Sequence, residues 1–219
     1  MYDLGLRDKK DRPLRKDERI GLYVMLILFC GAMAAEILLN DFRPTKLSAF
    51  LIPLFWMPLV AIHEAGHAIV AHLCGWRVKR VVIGFGRRIK SFKVGRTPVH
   101  LLQIPIQGHV LPLPRDLKSP RLKNTLIYAA GPGIELLLIL IIYLIIGHDV
   151  MFSRVESVPI VALQSFCIAA AMGAIINLIP MTTDEGSWND GMGILRSWTI
   201  PDEQFERWIS PAEAKSKAD

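Results

Sequence analysis

The pentapeptide His63-Glu64-Ala65-Gly66-His67 is the part of the sequence with the clearest chemical meaning. On an α-helix, residues four apart lie on nearly the same face, so His63 and His67 can bind one metal ion together. Two imidazole nitrogens at this spacing suit Zn²⁺, and the adjacent Glu64 is placed to take a proton from a water molecule at the metal. The sequence therefore predicts a zinc site with Glu64 as a catalytic base.

This motif lies in an apolar segment of membrane-spanning length. The chain has 219 residues, 52% of them hydrophobic, and a mean hydropathy of +0.34. A helix needs about 20 apolar residues to cross a bilayer, and four stretches qualify: Ile20–Leu39, Leu47–Leu73, Thr125–Ile146 and Val158–Ile179. Burying two histidines and a glutamate there without a metal ion would be costly. We predict an α-helical polytopic protein of the lipid bilayer with four transmembrane helices and its metal site in the second.

Basic residues are distributed unevenly among the segments outside these spans. The first 19 residues contain seven Lys/Arg and Gly75–Lys123 contains twelve, whereas the other two connections contain two and one. By the positive-inside rule, both termini and Gly75–Lys123 should be cytoplasmic, with the protein in the plasma membrane. The predicted order is a cytoplasmic tail (1–19), a first span (20–39), a core (40–196) and a cytoplasmic tail (197–219). No nucleic-acid motif accompanies the basic segment, so no nucleic-acid partner is expected.

The first span has a second interpretation as a signal peptide. Its basic leader and Ala32-Met33-Ala34 resemble a cleaved signal sequence. The apolar run continues past that site to Leu39, which favours a retained transmembrane helix.

The basic segment 75–123 has a strand-like pattern. Residues 81–86 are β-prone and interrupted by glycine, and apolar residues alternate from Leu102 to Ile106. This period of two predicts short strands that end near Gly108-His109-Val110, with Pro105 at a sheet edge. Such an edge could bind an extended peptide by strand addition. The alternative is an amphipathic hairpin on the membrane surface.

Four segments, in order, resemble the site-2 protease family of intramembrane zinc metalloproteases. They are His63 to His67, the strand region through Gly108-His109-Val110, Ala130-Gly131-Pro132, and Asn177-Leu178-Ile179-Pro180 followed by Asp190-Gly191. The resemblance covers roughly residues 47–196. It implies zinc-dependent cleavage of membrane-anchored proteins, in or near their transmembrane segments, in regulated proteolysis. It also implies that Asn177 binds the substrate backbone, the alternative being a helix-end cap. No segment is long enough for an inserted PDZ domain, which suggests a minimal member.

Catalytic zinc has three protein ligands and one open position. No third histidine lies on the helix face of His63 and His67, so the third ligand must come from elsewhere in the chain. Three acids follow the fourth span, whose end we expect beside the histidines: Asp184, Glu185 and Asp190. The spacing usual in the family falls on Glu185, but the continuation Met192–Leu195 fits the family pattern D-G-x-x-I-L after Asp190. We therefore expect Asp190 as the ligand, after an inserted loop, with Asp184 and Glu185 as alternatives.

Two other residues are candidates for accessory roles. Glu135 lies within the third span, where the family often has asparagine, and an acid there is a functional candidate by default. The alternative is a structural acid that is paired or protonated. His109 could approach the site from the strand region or could be a surface histidine. The intact Glu64 favours a peptidase. The displaced Asp190-Gly191 pair favours the alternative, a non-catalytic binding protein (pseudoprotease) on the same fold.

Overall fold

Seven α-helices and two β-strands make up the part of the chain that the computed structural model describes, residues 15–182 and 187–216. In chain order they are α1 (Lys16–Leu39), α2 (Ser48–Leu73), β1 (Arg77–Val94), β2 (Thr97–Leu113), α3 (Pro120–Ile146), α4 (His148–Phe152), α5 (Val158–Leu178), α6 (Asp190–Arg196) and α7 (Asp202–Ser216). Two short 3₁₀ helices, Pro44–Leu47 and Ser197–Thr199, precede α2 and follow α6.

Three helices of the described part are long and apolar enough to cross a membrane. They are α2 with its preceding 3₁₀ turn, α3 and α5. These helices overlap the predicted second, third and fourth spans. Helix α1 overlaps the predicted first span, but its apolar run, Tyr23–Ile37, is shorter. A mostly helical fold with three candidate membrane spans is therefore confirmed, whereas the count of four transmembrane helices stays a prediction.

Helices α2, α3 and α5 pack against one another and form the bundle that holds the site. Leu59 of α2 is buried with Ala169 and Ala170 of α5. Helix α2 approaches α3 closely at Gly66, where a Cβ atom would lie 2.7 Å from the carbonyl oxygen of Ala130. Small residues permit this kind of close backbone approach between membrane helices. The motif glycine therefore brings the histidine-bearing part of α2 against α3.

Strands β1 and β2 form a hairpin that folds back on itself. Residues 81–83 of β1 pair with two stretches of β2, 108–110 and 99–101. The strands are 18 and 17 residues long, so the prediction of short strands ending near Val110 was wrong in extent. Residues 105–107 have no register partner among the described residues, in keeping with the missing N–H of Pro105. Instead, the Trp56 indole of α2 donates to the Ile106 carbonyl at 3.1 Å, which holds this unpaired stretch against the bundle.

The C-terminal segment packs on the end of the bundle. Phe205 and Trp208 of α7 are buried with Trp76, which follows α2, and with Ile200. Arg121 of α3 also donates to the carbonyl of Ile200 at 3.0 Å. The segment 197–219 that we predicted as a tail thus contains a helix attached to the core.

Candidate metal centre

The two motif histidines meet an acid from a distant part of the chain. His63 Nε2 lies 2.9 Å from Asp190 Oδ2, and His67 Nε2 lies 3.3 Å from Asp190 Oδ1. All three side chains are buried, and one donor atom from each lies within 4.8 Å of the others. Donors bound tetrahedrally to zinc at 2.0–2.1 Å are separated by roughly 3.3 Å. The donor set and its spacing therefore fit a metal ion of this kind.

Each histidine makes a second contact through its other ring nitrogen. Nδ1 of His67 lies 2.6 Å from the carbonyl oxygen of Ile127 on α3, so Nδ1–H donates and Nε2 is left to face a metal. Nδ1 of His63 lies 3.2 Å from Oε2 of Glu135, also on α3, although the pair lacks hydrogen-bond alignment. Carboxylate and carbonyl partners of this type fix the orientation of metal-binding histidines. Glu135, the acid in the third predicted span, therefore lies next to the metal centre.

Glycines leave the space that the ionisable groups occupy. A Cβ atom on Gly131 of α3 would lie 2.3 Å from His67 Nε2 and 2.5 Å from His63 Nε2. A Cβ on Gly173 of α5 would lie 2.8 Å from Oε1 of Glu135. The space beside both ring nitrogens thus exists because residue 131 has no side chain.

Glu64, next to His63 on α2, packs closely against strand β2. Its side chain is buried, and Gly108 of β2 is so close that a Cβ there would lie 2.6 Å from Glu64 Cγ. Oε2 of Glu64 has no hydrogen-bond partner among the described residues. A carboxylate oxygen that is buried and unpartnered is free to accept a proton from a bound molecule.

A cavity of about 240 Å³ adjoins Glu64 and His63. Its other polar lining residues are Glu135, Asn177 and Gln107, and its apolar lining comes mainly from α2 and α5. Ile106 of the unpaired stretch of β2 completes one side. The cavity therefore joins the donor group to the stretch of β2 that has no register partner on β1.

Asp190 is held in place by its neighbour Asn189. The Asn189 side chain caps α6 by accepting from Met192 N at 3.1 Å, and it also accepts from Met181 N at 2.9 Å. Its amide nitrogen donates to the Ile179 carbonyl at 2.6 Å. These bonds tie the end of α5 to the start of α6.

The charge state of Asp190 follows from its surroundings. Burial alone would raise the pKa of this carboxyl, but the contacts with His63 and His67 outweigh burial and hold the pKa below its usual value. Next to it, Gly191 lets α6 begin against α5, since a Cβ there would meet the Leu178 carbonyl. A carboxylate that is ionised and rigidly placed is suited to metal binding.

The structure brings most of the predicted site residues together. His63, His67 and Asp190 form one group, Glu135 contacts His63, and Glu64 and Asn177 line the cavity beside it. His109 is half-buried on β2 and belongs neither to this group nor to the cavity lining. The alternatives Asp184 and Glu185 lie outside the described residues.

Sequence reasoning missed the residues that support this group. Asn189 stands directly before Asp190-Gly191, a cap position that could have been recognised from the sequence. Gly108 and Gly131 were noted as parts of motifs, but not as the residues that make room for Glu64 and the two histidines. Nothing in the local sequence indicates that Gly173 faces Glu135.

A donor group of two histidines and a carboxylate, buried among three helices of membrane-spanning length, defines an integral membrane protein with a candidate metal centre. The sequence model of peptidase family M50 matches residues 49–181, more than half of the chain. The chain belongs to this family, which confirms the resemblance to site-2 proteases.

Relatives of the chain carry names of the same kind. A Neisseria meningitidis protein provisionally named a zinc metalloprotease is 36% identical over 130 residues, 52% of this chain and 28% of the relative. A similarly named Ralstonia nicotianae protein is 31% identical over 153 residues, 58% of this chain and 32% of the relative. The zinc metalloprotease Rip1 of Mycobacterium tuberculosis is 31% identical over 97 residues, 38% of this chain and 24% of Rip1. The chain thus spans about a third or less of the length of these relatives.

Proposed function

We propose that this chain is a zinc-dependent endopeptidase of the membrane, with zinc held by His63, His67 and Asp190. The observation that carries the proposal is the convergence of these three buried side chains from α2 and α6 within one bundle. Family membership and the names of the relatives support zinc as the metal. The space beside Gly131 supports the same assignment, because it lies against the Nε2 atoms of both histidines.

The chain's own residues divide the chemistry of peptide hydrolysis between them. Zinc, when bound, supplies a Lewis acid that polarises the scissile carbonyl and acidifies a water molecule. Glu64 accepts a proton from the attacking water with its unpartnered oxygen and passes it to the departing amine. Burial excludes bulk water from this transfer, which strengthens the electrostatic interactions inside the site.

Glu135 and Asn177 have supporting roles in this proposal. Glu135 orients His63 through the 3.2 Å contact with Nδ1. Asn177 is half-buried at the end of α5 and lines the cavity beside Glu64. Its amide can donate to a peptide carbonyl and accept from a peptide N–H at once. Asn177 is therefore proposed to bind the substrate backbone.

The depth of the site favours a substrate that is itself anchored in the membrane. His67 and His63 lie six and ten residues before the end of α2, or about 9 and 15 Å along the helix axis. A site at this depth is within reach of a peptide bond in or near a transmembrane segment. Proteolysis at such a position would release a membrane-anchored protein, which is why we propose a role in regulated proteolysis.

The shape of the site favours an extended substrate. The cavity of about 240 Å³ is smaller than the typical ligand pocket of about 300–1,000 Å³, so an intact helix would not enter it. Ile106 and Gln107, which have no register partner on β1, border this cavity. We propose that the substrate unwinds locally and binds beside these residues as an added strand.

The orientation in the membrane is part of the proposal. The charge asymmetry supports a cytoplasmic location for both termini and for the hairpin, in the plasma membrane. Helix α2 ends at Leu73, directly before the hairpin, so the metal centre would lie nearer the cytoplasmic face. Cleavage would then act on the cytoplasmic part of a substrate span.

A pair of variants tests the enzyme proposal against a non-catalytic binding protein. Glu64→Gln preserves shape but cannot take up the proton, so we expect zinc to remain bound and cleavage of a reconstituted membrane substrate to stop. Glu203→Gln, at an exposed position of α7, is the control and should keep both zinc binding and cleavage. Cleavage by Glu64→Gln at the wild-type rate would refute the mechanism, and absent cleavage by the zinc-loaded wild type would favour the binding protein.

The third ligand needs its own test because two alternatives lie outside the described residues. Asp190→Ala should lower the zinc content of the purified protein sharply, since it removes an anionic donor from the group. Asp184→Ala and Glu185→Ala should keep full zinc content. Full zinc occupancy in Asp190→Ala, with loss of zinc in Asp184→Ala or Glu185→Ala, would show that the third ligand is Asp184 or Glu185.

A further inference from the structure

We propose that a groove on the opposite side of α2 from the metal centre binds one anionic phospholipid. The groove has a volume of about 1400 Å³ and runs between α2 and one face of the hairpin. The α2 side is lined by Ala61, Ala65, Ala68 and His72, which share one helix face at a spacing of three to four residues, and by Ile69 and Leu73. His63 and His67 point roughly the other way around the helix, so this groove is separate from the metal centre.

The apolar part of the groove suits acyl chains. The hairpin contributes Val81, Val99, Phe92 and Val94, and the last two remain 44% and 63% exposed. On α2, Leu73 is 77% exposed at the end of the groove. Large apolar side chains around an open concave surface indicate an apolar occupant. The small alanines on α2 leave the room that such an occupant needs.

The length of the groove matches one leaflet of a bilayer. Its lining extends along α2 from Ala61 to Leu73, which is about 18 Å at 1.5 Å per residue. Half of a typical hydrocarbon core is about 15 Å. An acyl chain that begins at the end of α2 would therefore run alongside the helix as far as the leaflet's inner edge.

Three arginines supply charge at the end where a headgroup would lie. Arg77 follows α2, Arg96 is in the hairpin turn and Arg115 follows β2, and all three are exposed groove-lining residues. None of them forms an ion pair with another described residue, and the groove lining contains no acid. Guanidinium groups bind phosphate oxygens with paired hydrogen bonds. Charge and position together favour a phospholipid with net negative charge over a zwitterionic one.

Native mass spectrometry of the purified full chain tests the proposal with two probe lipids, palmitoyl-oleoyl phosphatidylglycerol and palmitoyl-oleoyl phosphatidylcholine. We expect the phosphatidylglycerol adduct to dominate in the wild type. Replacing Arg77, Arg96 and Arg115 by glutamine should weaken it by about fivefold per arginine, on the order of a hundredfold in total. Phosphatidylcholine binding should change little.

A matched variant controls for the loss of three positive charges. Arg87, Lys90 and Lys93 are exposed on the same hairpin but do not line the groove. Replacing these three by glutamine should leave the phosphatidylglycerol adduct nearly unchanged. Equal weakening in both triple variants would show general attraction to basic residues and would overturn the site.

Photocrosslinking of the wild type provides a measurement that does not depend on any variant folding. Phosphatidylglycerol with a diazirine in its acyl chain should label the α2 face at Ala61 to Leu73 more than the outer faces of α3 and α5. Even labelling of the three helices would overturn the proposal. In a separate variant with a photoreactive residue in place of Ala65, crosslinking to α1 or to a substrate transmembrane segment instead of lipid would also overturn it.

Discussion

Replacing Gly131 by alanine is the most specific perturbation of the proposed metal centre. The added methyl group would lie 2.3 Å from His67 Nε2, 2.5 Å from His63 Nε2 and 2.6 Å from His67 Cε1. Both affected nitrogens are proposed zinc donors. The methyl group would therefore occupy the space of the ion and displace both donors, although the substitution is far away in sequence from the histidine motif.

The size of the effect follows from these distances. Real Cβ atoms essentially never come closer than 3.0 Å to another atom, so His67 must move by about 0.7 Å. Metal–ligand distances in a functional site are held to within about 0.2 Å. Loss of a group that only orients a ligand already lowers metal affinity by about 10–100-fold. We expect at least the upper end of this range, about 100-fold, for displacement of two donors.

Helix propensity separates this effect from unfolding. Within a helix, alanine is more favourable than glycine by about 1 kcal/mol. Gly131→Ala should therefore lower the zinc affinity without lowering the stability of α3. Gly133→Ala is the matched control on the same helix, because nothing lies within 4 Å of its Cβ position. Zinc competition against a chromophoric chelator and thermal unfolding of the zinc-free proteins would measure the two quantities.

Two results would refute the reasoning. Wild-type zinc affinity in Gly131→Ala would show that the ion is not held beside this glycine. Equal loss of zinc in Gly131→Ala and Gly133→Ala would show that general disturbance of α3, and not contact with the histidines, controls the affinity.

Three further predictions concern other parts of the site and its orientation. Gly108→Ala would push against Glu64 and should slow cleavage by roughly tenfold or more with zinc content unchanged; equal loss of zinc would contradict the separation of base and ligands. Asn189→Ala removes the cap of α6. It should cost about 1 kcal/mol of stability in thermal unfolding and weaken zinc binding in chelator competition. Unchanged stability and zinc affinity would show that Asn189 does not position Asp190. Ser91→Cys should resist an impermeant thiol reagent added to intact cells, and efficient labelling would reverse the proposed orientation.

The helices and the histidine pair could be predicted because both depend on local sequence. Hydropathy alone identified the regions of α2, α3 and α5, since a bilayer demands long apolar runs. The spacing of His63 and His67 fixes their common face once α2 is helical. The proline-free second half of α2, after Pro58, carries that pair, so the helix geometry there is regular.

Tertiary structure decided what local patterns could not. The contact of Glu135 with His63 depends on how α3 is rotated against α2, and no periodicity in α3 encodes that rotation. The hairpin extends to Leu113 because residues 77–83 pair with residues 108–113 of β2, and these segments are far apart in sequence. The place of α7 depends likewise on burial of Phe205 and Trp208 against Trp76.

The glycines around the site suggest why this arrangement tolerates so many ionisable groups inside a membrane bundle. A buried charge is costly unless it is paired, and pairing needs donor and acceptor groups from different elements to approach within about 3 Å. At Gly66, Gly108, Gly131 and Gly173, the missing side chains permit that approach between α2, α3, α5 and β2. Close packing, which holds membrane helices together, thus also brings together the charges that the chemistry requires.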